Sequence, residues 1–391
     1  MSFFSTDMRV RLFSRVLTPG SFFFAPVIYF LIWRKRKNLS VKKHPDRFFI
    51  VPQLTRIGDI ICVTPVFHTI KKTYPKSYIA VLVSKKAAGI LAHNPYIDEL
   101  IVLEKYKSNL FSLVRKIRKE DFDVSFSFSG TSFTSLLFFW GLIPTRIKLT
   151  RNPRPPTERF TDWQNTFEEE YSHHTFAPRF YLSMLQYVGI RKVYPEKQVY
   201  TSVEADVEVR KFLCGEGVSE IDTVIGVSIT AGNKIKEWGD ERFGEVALRL
   251  AEKYHAKIIW IGGAWDRERI ENLVYKLGNP AGHCIATHFS LEELSSLIKI
   301  LSLYIAVDTG PIYVAHALGI PLVDITGPVD PWEQPPHDDR SICVTPPAPF
   351  YPSSFVFKTR GEDEDTKEAL DAITVDEVVC AADYLLKKEK M

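Results

Sequence analysis

Short apolar runs recur along this chain, and each is followed by a turn and an amphipathic stretch. From Phe48 the runs "FFIVPQL", "IAVLV", "ELIVL" and "FDVSFSF" read as strands. Between them "TPVFHTIKKTYP" reads as a helix with Thr64 as N-cap and Pro65 at its first position. Residues 85–93 read as a short helix, and "NLFSLVRKIRK" as a longer one. A second series starts near Thr223 with "TVIGVSI", "KIIWI", "LYIAV" and "PLVDI". In "ERFGEVALRLAEKYH", behind Asp240 as cap, Phe243, Val246, Ala247, Leu250, Ala251 and Tyr254 form one helical stripe. A helix from about Asp266 and the capping box Ser290-x-x-Glu293 complete the series. Strands that alternate with helices dictate parallel sheets covered on both faces, so the chain is α/β. At 391 residues it accommodates two such sheets, and two sheets imply a cleft between them, with ligands beyond the carboxyl ends of the strands.

Two segments break the rhythm. Residues 150–180, "TRNPRPPTERFTDWQNTFEEEYSHHTFAPR" with its flanks, are polar and proline-bearing, and read as a long irregular excursion. At the amino terminus, Phe22 to Trp33 is an apolar run of 12 residues interrupted by Pro26 and followed by Arg34-Lys35-Arg36-Lys37. A helix of that length reaches only about 18 Å, short of the roughly 30 Å hydrocarbon core, and the basic tetrad argues against a secretory signal peptide. Residues 1–43 hold nine Lys or Arg against one acid, Asp7. Residues 8–37 therefore read as an interfacial or re-entrant anchor on an anionic membrane surface.

Composition narrows the function. A net charge of +3 with no zinc-finger or RNP-type signature gives no case for nucleic acid. The five cysteines, Cys62, Cys214, Cys284, Cys343 and Cys380, are widely spaced, which fits a reducing compartment and no zinc site. Asp121-x-Asp123 and His173-His174 read as structural. No metal is expected, and neither a nicotinamide fingerprint nor a P-loop follows any strand, so no cofactor is expected either.

Chemistry concentrates in four loops just past strands. "PQLTRIGDIICVTP" holds Arg56 and Asp59. "SITAGNKIKEWGDERF" offers Ser228, Thr230, Lys234 and Lys236. "IGGAWDRERI" offers Gly262, Gly263 and Asp266, and "VDTGPIYVAHALGIPLVDITGPVDPWEQPP" offers Asp308, Thr309 and Gly310. Small residues, hydroxyls, backbone amides and a cation are what a pyrophosphate needs.

The block "DTGPIYVAHALGIPLVDITGPVDP" closely resembles the carboxy-terminal signature of family 9 glycosyltransferases, which include the lipopolysaccharide heptosyltransferases. "RIGDIICVTPVFHTIKKTYP" and "AHNPYIDELIVL" resemble its amino-terminal elements. The resemblance runs from about Phe48 to Leu386. It implies a GT-B fold in which two Rossmann-like domains face each other, acceptor on the first and nucleotide-diphosphate sugar on the second, with inverting, metal-independent transfer. It implies Asp59 as general base, Lys236 on the donor phosphate, Asp308, Thr309 and Gly310 as the loop over the donor, and Asp266 near the ribose. Arg56, Arg151, Arg154 and Arg159 are expected to meet anionic groups on a glycolipid or lipopolysaccharide-core acceptor.

The expected organisation is an anchor at 1–45, an acceptor domain at 46–200, a nucleotide-sugar domain at 201–370 and a terminal helix at 371–391, working at the cytoplasmic face of the inner membrane. The first 45 residues have no counterpart in soluble heptosyltransferases. Two other readings are a GT-B nucleotide-sugar epimerase and a non-catalytic membrane-bound nucleotide-sugar-binding protein.

Overall fold

The computed structural model describes residues 8–39, 44–106, 109–152, 154–359 and 364–389, and divides into two compact units between Glu196 and Lys197. The first unit is built on six parallel strands: β1 (Arg47–Val51), β2 (Tyr78–Val83), β3 (Glu99–Val102), β4 (Val124–Ser127), β5 (Thr145–Arg151) and β6 (Phe167–Tyr171), in the order β3-β2-β1-β4-β5-β6. The second has β7 (Val224–Ser228), β8 (Lys257–Ile261), β9 (His283–Ala286), β10 (Leu303–Val307), β11 (Leu322–Ile325) and β12 (Ser341–Val344), ordered β12-β11-β10-β7-β8-β9. Counted from each unit's first strand, both read 3-2-1-4-5-6, the Rossmann order. These are the two Rossmann-like sheets expected of a GT-B protein. Each order reverses once, between β1 and β4 and between β7 and β10, and ligand sites form beyond the carboxyl ends there.

Burial on both faces explains the unbroken apolar runs. Phe48, Phe49, Ile50 and Val51 of β1 are buried, as is every residue of β10. Phe49 packs against Phe122 and Phe138 at ring-centroid distances of 5.1 and 5.8 Å. In the second unit Val246 and Leu250 of helix Asp240–Tyr254 share a core with Val378, Ala382 and Leu385 of the terminal helix Val375–Lys388.

Four local expectations are corrected. Thr64 is not an N-cap: the helix runs from Ile57 to Thr73, with Thr64 and Pro65 in its middle. Pro65 has no N–H to give the Ile61 carbonyl one turn back, and the Thr64 hydroxyl donates to that oxygen instead, at 2.7 Å. Asp240 is likewise the first helical residue rather than the cap, which is Gly239 at φ 116°. Its carboxylate accepts from Arg269 Nε at 2.9 Å and Nη2 at 2.7 Å.

The 150–180 segment is not irregular. It contains the end of β5, helix Pro156–Asp162, β6 and the start of helix Ala177–Ser183. Its polarity reflects an edge strand held by ion pairs: Arg154 bonds Asp162 at 2.8 Å and Glu168 at 2.9 Å, and Arg151 bonds Glu158 at 2.7 Å. Finally, the amino-terminal apolar run belongs to one helix, Met8–Leu39, that continues through Pro19 and Pro26.

Thr64→Val should lower stability by about 1–3 kcal/mol, because it keeps the shape and leaves the buried Ile61 carbonyl unpaired. Thr64→Ser should cost less. Denaturant melts of the two variants check this, and equal stabilities would remove the hydroxyl from its bridging role.

Candidate active site

In the second unit the candidate residues gather at the β7/β10 reversal. The Ser228 hydroxyl, at the end of β7, lies 2.8 Å from the Ile261 carbonyl and 2.6 Å from the Tyr304 hydroxyl. It is buried and ties three strands together. The chain then turns through Thr230 and Gly232 into a single turn, Lys234–Lys236, whose start is capped by the Asn233 side chain. Two anchors fix this loop. Glu237 accepts from Arg269 Nη1 at 2.8 Å, and the buried Trp238 donates its indole N–H to the Ile373 carbonyl at 3.0 Å. Lys234 is left exposed, whereas Lys236 is directed at the end of β10.

There Lys236 Nζ meets Asp308 Oδ2 at 2.5 Å, and the Tyr313 hydroxyl donates to Asp308 Oδ1, also at 2.5 Å. Asp308 is buried, so both its oxygens are held by named donors. Thr309 follows as N-cap and Gly310 opens helix Gly310–Ala317, with Pro311 in the first turn where no intrahelical donor is needed. Lys197 lies with Nζ 5.1 Å from the centre of the Tyr313 ring. Tyr313 and Lys197 were missed in the sequence, although Tyr313 stands in the same quoted block, five residues past Asp308.

Asp324 was missed as well, despite being the one charge in the apolar strand "PLVDI". It lies on β11 opposite Ala306, fully buried, and neither carboxylate oxygen has a hydrogen-bond partner among the described residues. Burial, then the charge of Asp308, pushes its carboxyl well above the ordinary range, against the pull of Lys236 and Lys197.

Gly262, Gly263 and Asp266 follow β8, the next strand over, and form a helix start. The Asp266 carboxylate accepts the Gly263 amide at 2.8 Å. A Cβ on Gly262 would stand 2.9 Å from Ile270 Cδ1, so close packing requires that glycine. Gly327, in the second glycine-proline turn, sits at φ 52° with Leu370 Cδ2 2.5 Å from where a Cβ would be. That glycine is a packing requirement too.

In the first unit Asp59 occupies the first turn of helix Ile57–Thr73, beyond β1 and at the β1/β4 reversal. It is buried at the positive end of the helix, and Arg56 Nη1 stands 3.8 Å away. Arg56 and Arg159 are exposed. Arg151 and Arg154 carry internal ion pairs, so an anionic ligand there would compete with Glu158, Asp162, Glu168 and Glu170. Among the described residues no three His, Cys, Asp or Glu side chains gather as a metal site.

A family model described as glycosyltransferase family 9 (heptosyltransferase) matches residues 110–354. Lipopolysaccharide heptosyltransferase 3 of Escherichia coli (strain K12) is 24% identical over 343 residues, covering 85% of this chain and 96% of that protein. Among solved structures, a family 9 glycosyl transferase from Veillonella parvula DSM 2008 superposes with a TM-score of 0.74 at 22% identity, over 88% of this chain and 97% of its own. The E. coli ADP-heptose lps heptosyltransferase II gives 0.71 at 18% identity, over 88% and 100%.

The upward shift of the Asp324 carboxyl has a thermodynamic signature. A carboxyl whose folded pKa is raised leaves stability intact below its unfolded pKa of about 3.9, and stability falls as pH rises from there toward the folded pKa. Asp324→Asn removes the titration. In a scan from about pH 4 to about pH 8, the melting temperature of the variant relative to the parent should therefore rise from the acid end until the folded carboxyl ionises. A difference that stays flat across that range would mean Asp324 is ionised in the folded chain.

Proposed function

This chain belongs to glycosyltransferase family 9, and we propose that it moves a heptose from ADP-heptose to a lipopolysaccharide-core type glycolipid, inverting the anomeric centre without a bound metal. The observation that carries the reading is the Lys236–Asp308–Tyr313 arrangement where the second sheet reverses. The named activities of the E. coli relatives support the choice of donor and acceptor.

In this mechanism the acceptor hydroxyl attacks the anomeric carbon of the heptose. The bond from that carbon to the diphosphate oxygen breaks, its electron pair leaves with ADP, and the hydroxyl proton passes to the Asp59 carboxylate. An alcohol is a weak nucleophile, and a carboxylate within reach of its proton is the remedy. On the leaving side the diphosphate gathers charge as the bond breaks, which Lys236 and the amides at the start of helix Gly310–Ala317 offset. Asp308 and Tyr313 hold Lys236 in place for that contact. Thr230, Thr309 and Asp266 are assigned to the remaining donor polar groups, and the exposed Arg56 and Arg159 to acceptor phosphate.

The work is assigned to the cytoplasmic face of the inner membrane, with residues 8–37 against the anionic leaflet. Nine cations and one acid over residues 1–43 support that placement.

Asp59→Asn should lower kcat by about 10²- to 10⁴-fold while leaving the Kd for ADP-heptose unchanged. ADP release with a heptose-accepting core oligosaccharide, together with calorimetric donor titration, measures both, and retained transfer would remove Asp59 from the base role. With ADP-heptose and no acceptor, the wild-type chain should leave the sugar's stereochemistry untouched. An epimerised sugar would favour the epimerase reading.

A further inference from the structure

Helix Met8–Leu39 has 32 residues, and its segment Ser14–Arg36 is apolar enough to cross a bilayer. At 1.5 Å per residue that segment reaches about 34 Å, more than the roughly 30 Å core. Its side chains nevertheless divide into two faces. Leu17, Ser21, Ile28 and Ile32 are buried, and they recur at helical spacing on the side that meets helix Ser132–Trp140. Hydrogen bonds fasten this side along its length. Trp140 Nε1 donates to Ser21 Oγ at 2.9 Å, the Tyr29 hydroxyl to the Trp163 carbonyl at 2.9 Å, Lys35 Nζ to Leu142 O at 3.2 Å, and Arg36 Nη2 to Pro144 O at 3.0 Å. Lys35 also pairs with Asp121 at 2.5 Å.

On the opposite side Val16, Phe23, Val27 and Phe30 form an exposed apolar stripe, flanked by exposed Phe24 and Leu31. Phe23 is 80% accessible. Exposed Arg15 and Arg34 stand at the two ends, and no Asp or Glu occurs between Ser14 and Arg36. A face this apolar, bounded by cations and lacking acids, matches an anionic bilayer surface in both charge and hydrophobicity.

We propose that this helix lies in the plane of the membrane, with the Val16–Phe23–Val27–Phe30 stripe sunk in the headgroup–acyl boundary and its other face still docked on the first unit. To span the bilayer it would have to leave the rest of the first unit, breaking the four hydrogen bonds and the ion pair and uncovering Phe139 and Trp140, which pack against it, to water. The docked pose keeps all of these contacts and immerses the stripe by about 5–10 Å. The helix is thereby a docking rail that fixes which side of the first unit faces the lipid, not a tether.

The inference rests on the membrane-surface reading above, and its test separates the two. Full-length protein is floated with phosphatidylcholine vesicles with and without phosphatidylglycerol, and compared with a variant carrying Phe23→Ser, Val27→Ser and Phe30→Ser. The wild type should bind the anionic vesicles, and the variant should bind about tenfold or more weakly for each phenylalanine lost, with an unchanged melting temperature. Wild type that ignores both vesicles would defeat the membrane reading itself. A variant that binds as well as the wild type, or that only converts a dimer to a monomer, would overturn the stripe as a lipid face.

Nitroxide labels at residues 16, 23, 27, 30 and 34 then report depth by collision accessibility. An in-plane helix places all five at one shallow depth. A deep maximum at 23 and 27, with 16 and 34 at opposite surfaces, would show a spanning helix and end the proposal while leaving the membrane reading standing.

Discussion

The contact between Lys236 and Asp308 is the constraint on which the functional site depends. A lysine on a loop after β7 has a flexible four-carbon stem and no reason to hold one position. The buried Asp308 supplies that reason, because its carboxylate is itself fixed by the Tyr313 hydroxyl and sits at the end of β10, the strand beside β7. Two adjacent strands whose connections leave in opposite directions thus deliver one charge each to the same point. Burial and the neighbouring Asp308 charge also disfavour a second carboxylate at Asp324, against the pull of Lys236 and Lys197.

Much of this was legible in the sequence because parallel sheets leave unbroken apolar runs. β1, β2, β7, β8, β10 and β11 were all visible as such runs, and the loops that follow them were visible as small polar residues against an apolar background. Lys236, Asp308, Thr309 and Gly310 were named from that contrast. Glycines were harder to interpret. Gly262 and Gly327 look like ligand-binding glycines, yet packing against Ile270 and Leu370 already requires them.

What escaped the sequence was tertiary. Edge strand β6, "FEEEY", carries no apolar alternation because polar partners hold it, Arg154 on Glu168 and Glu170 and the Tyr187 hydroxyl on Glu169. Asp324 interrupts an apolar strand with no local hint of the distant charges it feels, those of Asp308, Lys236 and Lys197. Prolines misled twice. Pro65 was read as a helix start, but the Thr64 hydroxyl covers the carbonyl it leaves. Pro26 was read as a break, but the helix through it is held to the rest of the first unit by side-chain bonds on both sides of the proline, at Ser21 and at Arg36. Local propensity set the expectation in both cases, and packing overrode it.

The account stands or falls on Lys236 acting with Asp308 on the donor. A double-mutant cycle in which Lys236→Met and Asp308→Asn are made singly and together, with the Kd for ADP-heptose read by calorimetry, tests it most directly. Each single change should weaken binding by about tenfold or more, and the pair together by little more than Lys236→Met alone, since Asp308 acts through the lysine. Donor affinity indifferent to Lys236→Met, or two losses that simply add, would contradict it.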